Sequence, residues 1–293
     1  MSLALNLFPT PESEAQYDEA YEVGLSTWPR PFKAEFVDTN YGKTHVITSG
    51  PESGPPVILL HPAGCGSIIW CRNVAALSQR HATFAIDTIG EVNRSRVVKP
   101  PQTRDDLLSW LEALLTALHV EKASIVGNSF GGYLGALAAI YLPARVDRLV
   151  LIAPASTIVG MPKWMLHFFP GYFTRSTRLK KWAVDWIWQG FPADAFIAEM
   201  RTIASTCGRP QHAPPKVLSD AALRSLHAPT LLLIGDHEVI YKPAKAIERA
   251  TCLIPNLKAK ILPNANHNAQ YTAAEFVNAQ VLTFLAEDND LAA

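Results

Sequence analysis

The sequence predicts an α/β fold on a mostly parallel sheet, interrupted once by a helical insertion. Three observations carry this. Short apolar runs recur that do not alternate with polar residues, as expected of strands buried on both faces. Helix-like segments lie between them, which is the alternation of a parallel sheet covered by helices. From about Ser156 to Leu226 the strand-like runs stop.

The first stretch, "MSLALNLFPTPESEAQ", has no basic leader region, and its apolar run is short and broken. It does not read as a signal peptide. No run of about 18 apolar residues occurs, so no membrane span is expected. After a segment of mixed character, "KAEFVDTNYGKTHVITSG" reads as a hairpin turning at Asn40-Tyr41-Gly42. The buried strands follow: "PPVILLH", "TFAID", "ASIVGNS", "DRLVLIAP", "PTLLLIGD" and "KAKILPNA". Between the second and third, Leu107, Leu108, Leu111, Leu114, Leu115 and Leu118 fall at helical spacing. Asp105 and Asp106 stand in the first turn, where the helix dipole favours acids.

The insertion holds four of the seven tryptophans (Trp164, Trp182, Trp186, Trp188) and five of the twelve phenylalanines (Phe168, Phe169, Phe173, Phe191, Phe196). That concentration reads as a helical subdomain capping a cleft with aromatic side chains. "CGRPQHAPPKVLSD" reads as the return loop. The expected division is core 1–155, cap 156–228 and core 229–293.

Composition narrows the function. At 293 residues with 48% apolar content, the chain can bury a full core. Lysine plus arginine (26) equals aspartate plus glutamate (26), and no basic stripe occurs, so nucleic acid is not an expected partner. Cys65, Cys71, Cys207 and Cys252 show no zinc or CxxC spacing, so no metal site is expected. They read as reduced thiols in a cytoplasmic protein.

Gly127-Asn128-Ser129-Phe130-Gly131 fits G-x-S-x-G between a strand-like and a helix-like run. A nucleophile at such an elbow sits on strained backbone, and the tight turn demands small residues two before and two after it. The helix dipole behind it favours a developing oxyanion. A serine needs a base and a third group to orient that base. His267, after the last strand-like run, is the candidate base. The acid comes from "LLLIGDHEVIY", where Asp236 and Glu238 are both candidates. Oxyanion donors are expected from the Phe130 N–H and from Ala63 in the "HPAGCGS" loop. His61 in that loop reads as a structural hydrogen-bonder, and Cys65 as a small buried thiol with no base beside it.

Taken in order, "LLHPAG", "DTIGEVNRS", "GNSFGG", "DRLVLIAPAS", "LLLIGDHEVIY" and "NANHN" resemble the α/β-hydrolase superfamily, most closely its capped bacterial carboxylesterase-like members. The resemblance implies an eight-stranded, mostly parallel sheet flanked by helices, with a helical cap inserted after the sixth strand. The family's acid falls as G-x-x-D, which lands on Glu238 rather than Asp236. Its usual His-Gly in the oxyanion loop is His61-Pro62 here, a departure. Asp87 matches a structural family position and is expected to pair near Arg94 and Ser95. Aspartate-nucleophile relatives are excluded by Ser129. The implied activity is carboxylic-ester hydrolysis through an acyl-enzyme, without metal or organic cofactor, on a small apolar or aromatic ester-like substrate. Lactone, amide or carbon–carbon bond cleavage on the same triad remains open, as does a ligand-binding signalling protein with little turnover. Oligomeric state is not readable.

Overall fold

A computed structural model describes residues 5, 7–8, 10–29, 31–160, 176–207 and 210–287. Trp164, Phe168, Phe169 and Phe173 lie outside the described residues.

The N-terminal segment of mixed character is a helix, α1 (Pro11–Ser26). The Thr10 hydroxyl accepts from Ser13 N–H and Pro11 opens the first turn, both good starts. The hairpin forms as β1 (Phe32–Thr39) and β2 (Gly42–Ser49), paired antiparallel from Phe32–Ser49 to Thr39–Gly42. Then come β3 (Pro56–Leu60), a 3₁₀ turn (Ser67–Trp70), α2 (Cys71–Leu77), β4 (Ala82–Ile86) and a two-residue β5 (Arg96–Val97). Helix α3 (Arg104–Ala117) starts at Thr103. Its hydroxyl accepts from Asp106 N–H, while the Asp106 carboxylate accepts from Thr103 N–H. Asp106 is thus half of a reciprocal cap as well as a favourable charge. Strand β6 (Ala123–Asn128), α4 (Phe130–Tyr141) and β7 (Val146–Ile152) follow.

Between β7 and β8 (Thr230–Gly235) the described residues contain no strand. They hold α5 (Thr177–Trp188), α6 (Ala195–Cys207) and the short α7 (Asp220–Arg224). The chain ends through α8 (Pro243–Leu253), β9 (Leu257–Leu262), α9 (Ala269–Thr272) and α10 (Ala274–Leu285).

The sheet runs β1-β2-β4-β3-β6-β7-β8-β9, with β5 appended to β2. From β4 to β9 every pair is parallel; β1, β2 and β4 pair antiparallel. The eight expected strands are the through-path, and β5 is the addition that sequence did not show. Not counting it, the insertion follows the sixth strand. Chain order reverses on either side of β3, so the crevice beyond the carboxyl ends of β3 and β6 is the switch point where such sheets bind ligands.

Strands β6 and β8 are buried throughout, whereas β9 is half-exposed, with Lys258 and Lys260 facing out. β9 is an edge strand, so its expected burial on both faces does not hold. Successive side chains fill opposite cores: Ile58 and Leu60 share one core with the leucines of α3 and α4, while Val57 and Leu59 share the other with residues of α1, α2 and α10. A Cβ at Gly135 would stand 3.1 Å from both Ile125 and Leu149, so α4 lies nearly in contact with β6 and β7. Phe196, Ile197, Met200, Ile203 and Ala204 of α6 join the core that holds α1. No helix among the described residues is long and apolar enough to cross a membrane.

Candidate active site

The switch-point crevice is occupied by the G-x-S-x-G turn. Ser129 has φ 52° and ψ −113°, a conformation unfavourable for a residue with a Cβ. Its backbone is pinned on both sides: its N–H donates to Ile152 O at 3.0 Å, and its carbonyl accepts from Tyr133 and Ala155 N–H. The neighbouring glycines are explained by contact. A Cβ on Gly127 would lie 2.3 Å from Gly131 O, and one on Gly131 would lie 2.1 Å from Leu60 O. The end of β3, the end of β6 and the start of α4 meet with no room for a methyl group.

His267 sits between β9 and α9 with Nε2 2.8 Å from Ser129 Oγ and Nδ1 2.7 Å from Glu238 Oε2. The carboxylate fixes the tautomer: Nδ1–H donates to Glu238, leaving Nε2 to accept from the serine hydroxyl. Glu238 Oε1 accepts from Ile240 N–H at 2.7 Å, which locks the carboxylate's orientation. All three side chains are buried, Ser129 with 7% of its surface exposed. Asp236 faces elsewhere. Its Oδ1 accepts from Ala265 N–H at 3.1 Å and lies 3.9 Å from His237 Nε2, and the side chain is partly exposed. The geometry therefore joins Glu238, not Asp236, to His267.

Two asparagines that sequence reading did not single out shape the site. Asn128 Nδ2 donates to Ile152 O at 2.9 Å and to the His267 carbonyl at 3.0 Å, tying the histidine loop to the elbow. Asn266 Nδ2 donates to Trp188 O at 2.8 Å, and its Oδ1 accepts from Asn268 N–H. Asn128 ends β6 beside the serine and Asn266 stands in a loop, where asparagine is a common turn residue, so nothing in the sequence marked these two as long-range ties.

Around the proposed oxyanion loop, Ala63 is exposed, and its N–H has no protein acceptor among the described residues. The Phe130 N–H lies in the first turn of α4, where helix donors have no internal partner. The next N–H along the loop, that of Gly64, is taken by Glu91 Oε2 at 2.9 Å. His61 is structural as expected. Its Nε2 accepts from Thr88 N–H at 2.9 Å, which places the proton on Nδ1, facing Pro62 O at 2.8 Å. Burial pushes the Cys65 thiol up to about 12, so no thiolate nucleophile forms there at neutral pH.

Asp87 is fully buried. Burial alone would raise its pKa, but hydrogen bonding and attraction from His45, with the Ser67 N–H, hold it down at about 2. The expected pairing is half right. Ser95 Oγ donates to the Asp87 carbonyl, but Arg94 turns outward to Asp18 (3.0 Å) and Glu22 (2.7 Å). A buried carboxylate satisfied by His45 and Tyr21 needs no guanidinium. Among the described residues no cluster of three His, Cys, Asp or Glu side chains is placed to hold a metal.

The alpha/beta hydrolase family profile matches residues 57–280. The chain belongs to this family. Carboxylesterase YbfK of Bacillus subtilis (strain 168) is 33% identical to it, covering 95% of this chain and 96% of the relative. The crystal structure of naproxen esterase (carboxylesterase NP) from Bacillus subtilis superposes with a TM-score of 0.88 at 30% identity, covering 94% of this hydrolase and 99% of that chain. More distant is a 2-hydroxy-6-oxononadienedioate/2-hydroxy-6-oxononatrienedioate hydrolase of Pseudomonas putida, 28% identical over 80% of this chain and 88% of its own length. The eight-stranded path and the helices on both faces are those of the α/β-hydrolase fold.

Proposed function

We propose that this hydrolase cleaves carboxylic esters with Ser129 as nucleophile, His267 as general base and acid, and Glu238 as the group that orients His267. The observation that carries the reading is His267 bridging Ser129 Oγ at 2.8 Å and Glu238 Oε2 at 2.7 Å. Ser129 Oγ attacks the ester carbonyl as its proton passes to His267 Nε2. Glu238 stabilises the imidazolium without taking the proton. The oxyanion rests on the Phe130 and Ala63 N–H groups. His267 then protonates the departing alkoxide, leaving an acyl-Ser129. Water, deprotonated by His267, attacks the acyl carbonyl and releases the acid. The residues need no metal or organic cofactor for these steps.

The substrate reading is an ester of modest size with an apolar or aromatic part. Aromatic residues of the insertion support it: Phe191 packs edge-on to His237, next to Glu238, and Trp188 packs against Tyr271 just beyond His267. A relative of this chain is named for naproxen. Residues 156–228 act as a cap on a core of 1–155 and 229–293. The free thiols Cys65, Cys71 and Cys252 fit a reducing, cytoplasmic setting.

The test is Ser129→Ala on a panel of p-nitrophenyl esters varied separately in acyl and alcohol parts. Turnover should fall by about 10⁵–10⁶, the scale seen when a serine triad loses its nucleophile, with circular dichroism unchanged. Turnover within tenfold of the native rate would exclude the assignment. The Pseudomonas putida relative, named as a 2-hydroxy-6-oxononadienedioate/2-hydroxy-6-oxononatrienedioate hydrolase, supports carbon–carbon bond cleavage on the same triad as a second reading. Turnover of 2-hydroxy-6-oxononadienedioate, the compound that relative is named for, well above that of every ester would favour it.

A further inference from the structure

Two charged side chains are buried beside the elbow, and ester hydrolysis as described leaves them without a role. Glu91, in the turn after β4, is 1% exposed, and His212, in the segment returning from the insertion, is buried against it. His212 Nε2 stands 2.6 Å from Glu91 Oε1, and its Nδ1 stands 2.9 Å from Ala213 O. Both partners are acceptors, and a carbonyl oxygen has no proton to give. Both ring nitrogens therefore donate, which makes His212 an imidazolium facing a carboxylate. His61 shows the contrast, since its Nε2 accepts from a backbone N–H and the ring is neutral. The shifts agree in sign. Burial alone would lower His212 and raise Glu91. The hydrogen bond and mutual attraction outweigh burial, leaving His212 above its ordinary value and Glu91 below.

The pair reaches both segments that carry the oxyanion donors. Glu91 Oε2 accepts from Gly64 N–H at 2.9 Å, one residue beyond Ala63. The His212 ring stacks on Phe130, with centroids 4.1 Å apart and planes 25° from parallel. The return segment is itself sewn down. Gln211 N–H donates to Gly90 O at 2.6 Å, and Ala213 N–H donates to Pro101 O at 2.7 Å. Gly90 has φ 86°, and a Cβ there would lie 2.7 Å from Gln211 O, so the two backbones are in contact.

We propose that Glu91 and His212 are positioning residues for the oxyanion site: Glu91 holds the Ala63–Gly64 loop through the Gly64 N–H, and His212 holds both Glu91 and the ring of Phe130. The proposal rests on the ester-hydrolase reading above. It makes Ala63 rather than Gly64 the second donor, because the Gly64 N–H is already engaged by an ionised acceptor, the stronger kind of hydrogen bond. It also links the return from the insertion to the chemistry, since residue 212 braces the hole that residues 63 and 130 form.

The experiment compares Glu91→Ala, Glu91→Gln and His212→Ala with the native enzyme. It reads kcat and KM on a p-nitrophenyl ester, thermal midpoint, and affinity for an aliphatic trifluoromethyl ketone. The adduct of that ketone with Ser129 carries an oxyanion. Removing an oxyanion donor outright costs roughly a hundred- to thousandfold. Loosening one should lower kcat of Glu91→Ala by about ten- to a hundredfold, with KM within about threefold. Affinity for the ketone should fall by the same factor. In Glu91→Gln the amide oxygen can accept from Gly64 while its NH₂ group donates to a neutral His212, so kcat should recover to within about threefold of native. His212→Ala should show a smaller loss of the same kind.

The proposal is overturned if folded Glu91→Ala keeps kcat and ketone affinity within threefold of native. It is equally overturned if kcat falls while ketone affinity is unchanged, which would mark a merely structural role. Should Glu91→Ala not fold, His212→Ala decides by the same two readouts. Turnover surviving in Ser129→Ala would instead sink the ester-hydrolase reading. Inactive Ser129→Ala beside fully active Glu91→Ala would sink only the positioning role.

Discussion

The carboxyl edge of the sheet and the insertion between β7 and β8 are held together in different ways. At the edge, backbone meets backbone. Gly127, Gly131 and Leu60 lie so close that no methyl group fits, and the Ser129 backbone is hydrogen-bonded on both sides. Apart from its return segment, whose Gln211 and Ala213 N–H groups bond the Gly90 and Pro101 carbonyls, the insertion docks largely through side chains. Asn266 reaches the Trp188 carbonyl, Tyr271 O–H donates to Asp194, and Arg72 pairs with Asp194 at 3.0 Å while lying over the Tyr271 ring. Close-packed backbone has one arrangement; side-chain docking tolerates substitution and repacking. The Ser129–His267–Glu238 constellation lies on the tightly packed edge, and the insertion is the part of the molecule whose docking leaves more room for substitution.

The comparison is broken most directly at the acid. Glu238→Gln should lower kcat by about 10⁴, as when a triad carboxylate can no longer hold the correct tautomer. Asp236→Asn, two residues away and bonded to the Ala265 N–H rather than to His267, should keep kcat within about threefold. The reverse result, read from kcat of the two purified variants, would move the acid and with it the geometry assigned to the edge.

Packing gives the next test. Gly131→Ala should cost about 3 kcal/mol by overpacking, because the new methyl meets Leu60 O. Gly190→Ala in the insertion meets nothing within 4 Å and bears only the strain of φ 73°, about 1 kcal/mol. Urea midpoints of the two variants should differ in that order. Equal losses would mean that the edge is no more tightly packed than the insertion.

An effect of intermediate size, spread over a pH window, is expected from Asp87, which directly follows β4. Its folded pKa of about 2 lies below the ordinary 3.8. The group therefore contributes stability that is fully present above pH 4 and is lost as pH falls from about 4 to 2. Its size is roughly 2 kcal/mol. The difference in urea midpoint between native protein and Asp87→Asn should shrink across that window. A constant difference would show that the carboxylate charge is not what stabilises the fold there.

Much of this was legible in the residues. The apolar runs located the central strands, because a strand covered on both faces has no polar positions to spare. Ser129 and His267 were legible because the elbow's small neighbours and the order of strand ends constrain what stands beside the serine. β9 was misread because an apolar tail, "IL", resembles a buried strand, and only its place at the sheet edge leaves Lys258 and Lys260 in solvent. Arg94 was misplaced because nearness in sequence to Asp87 says nothing about which way a long side chain turns. Helix α1 was missed because its face is short of apolar residues and its stability comes from Tyr17, Ala20 and Tyr21 packing on the core.

By itself, then, the sequence determined the order of the central strands and their helices and singled out Ser129 and His267 as candidate nucleophile and base, since these follow from local patterning and from what one sharp turn permits. The tertiary structure decided what depends on contacts far apart in the chain. It joined Glu238 to His267, turned Arg94 away, set Asn128 against the His267 carbonyl, and brought His212 across 121 residues to Glu91. Such pairs are chosen by which side chains can satisfy each other's charge and hydrogen bonds once water is excluded, and no spacing along the chain encodes that.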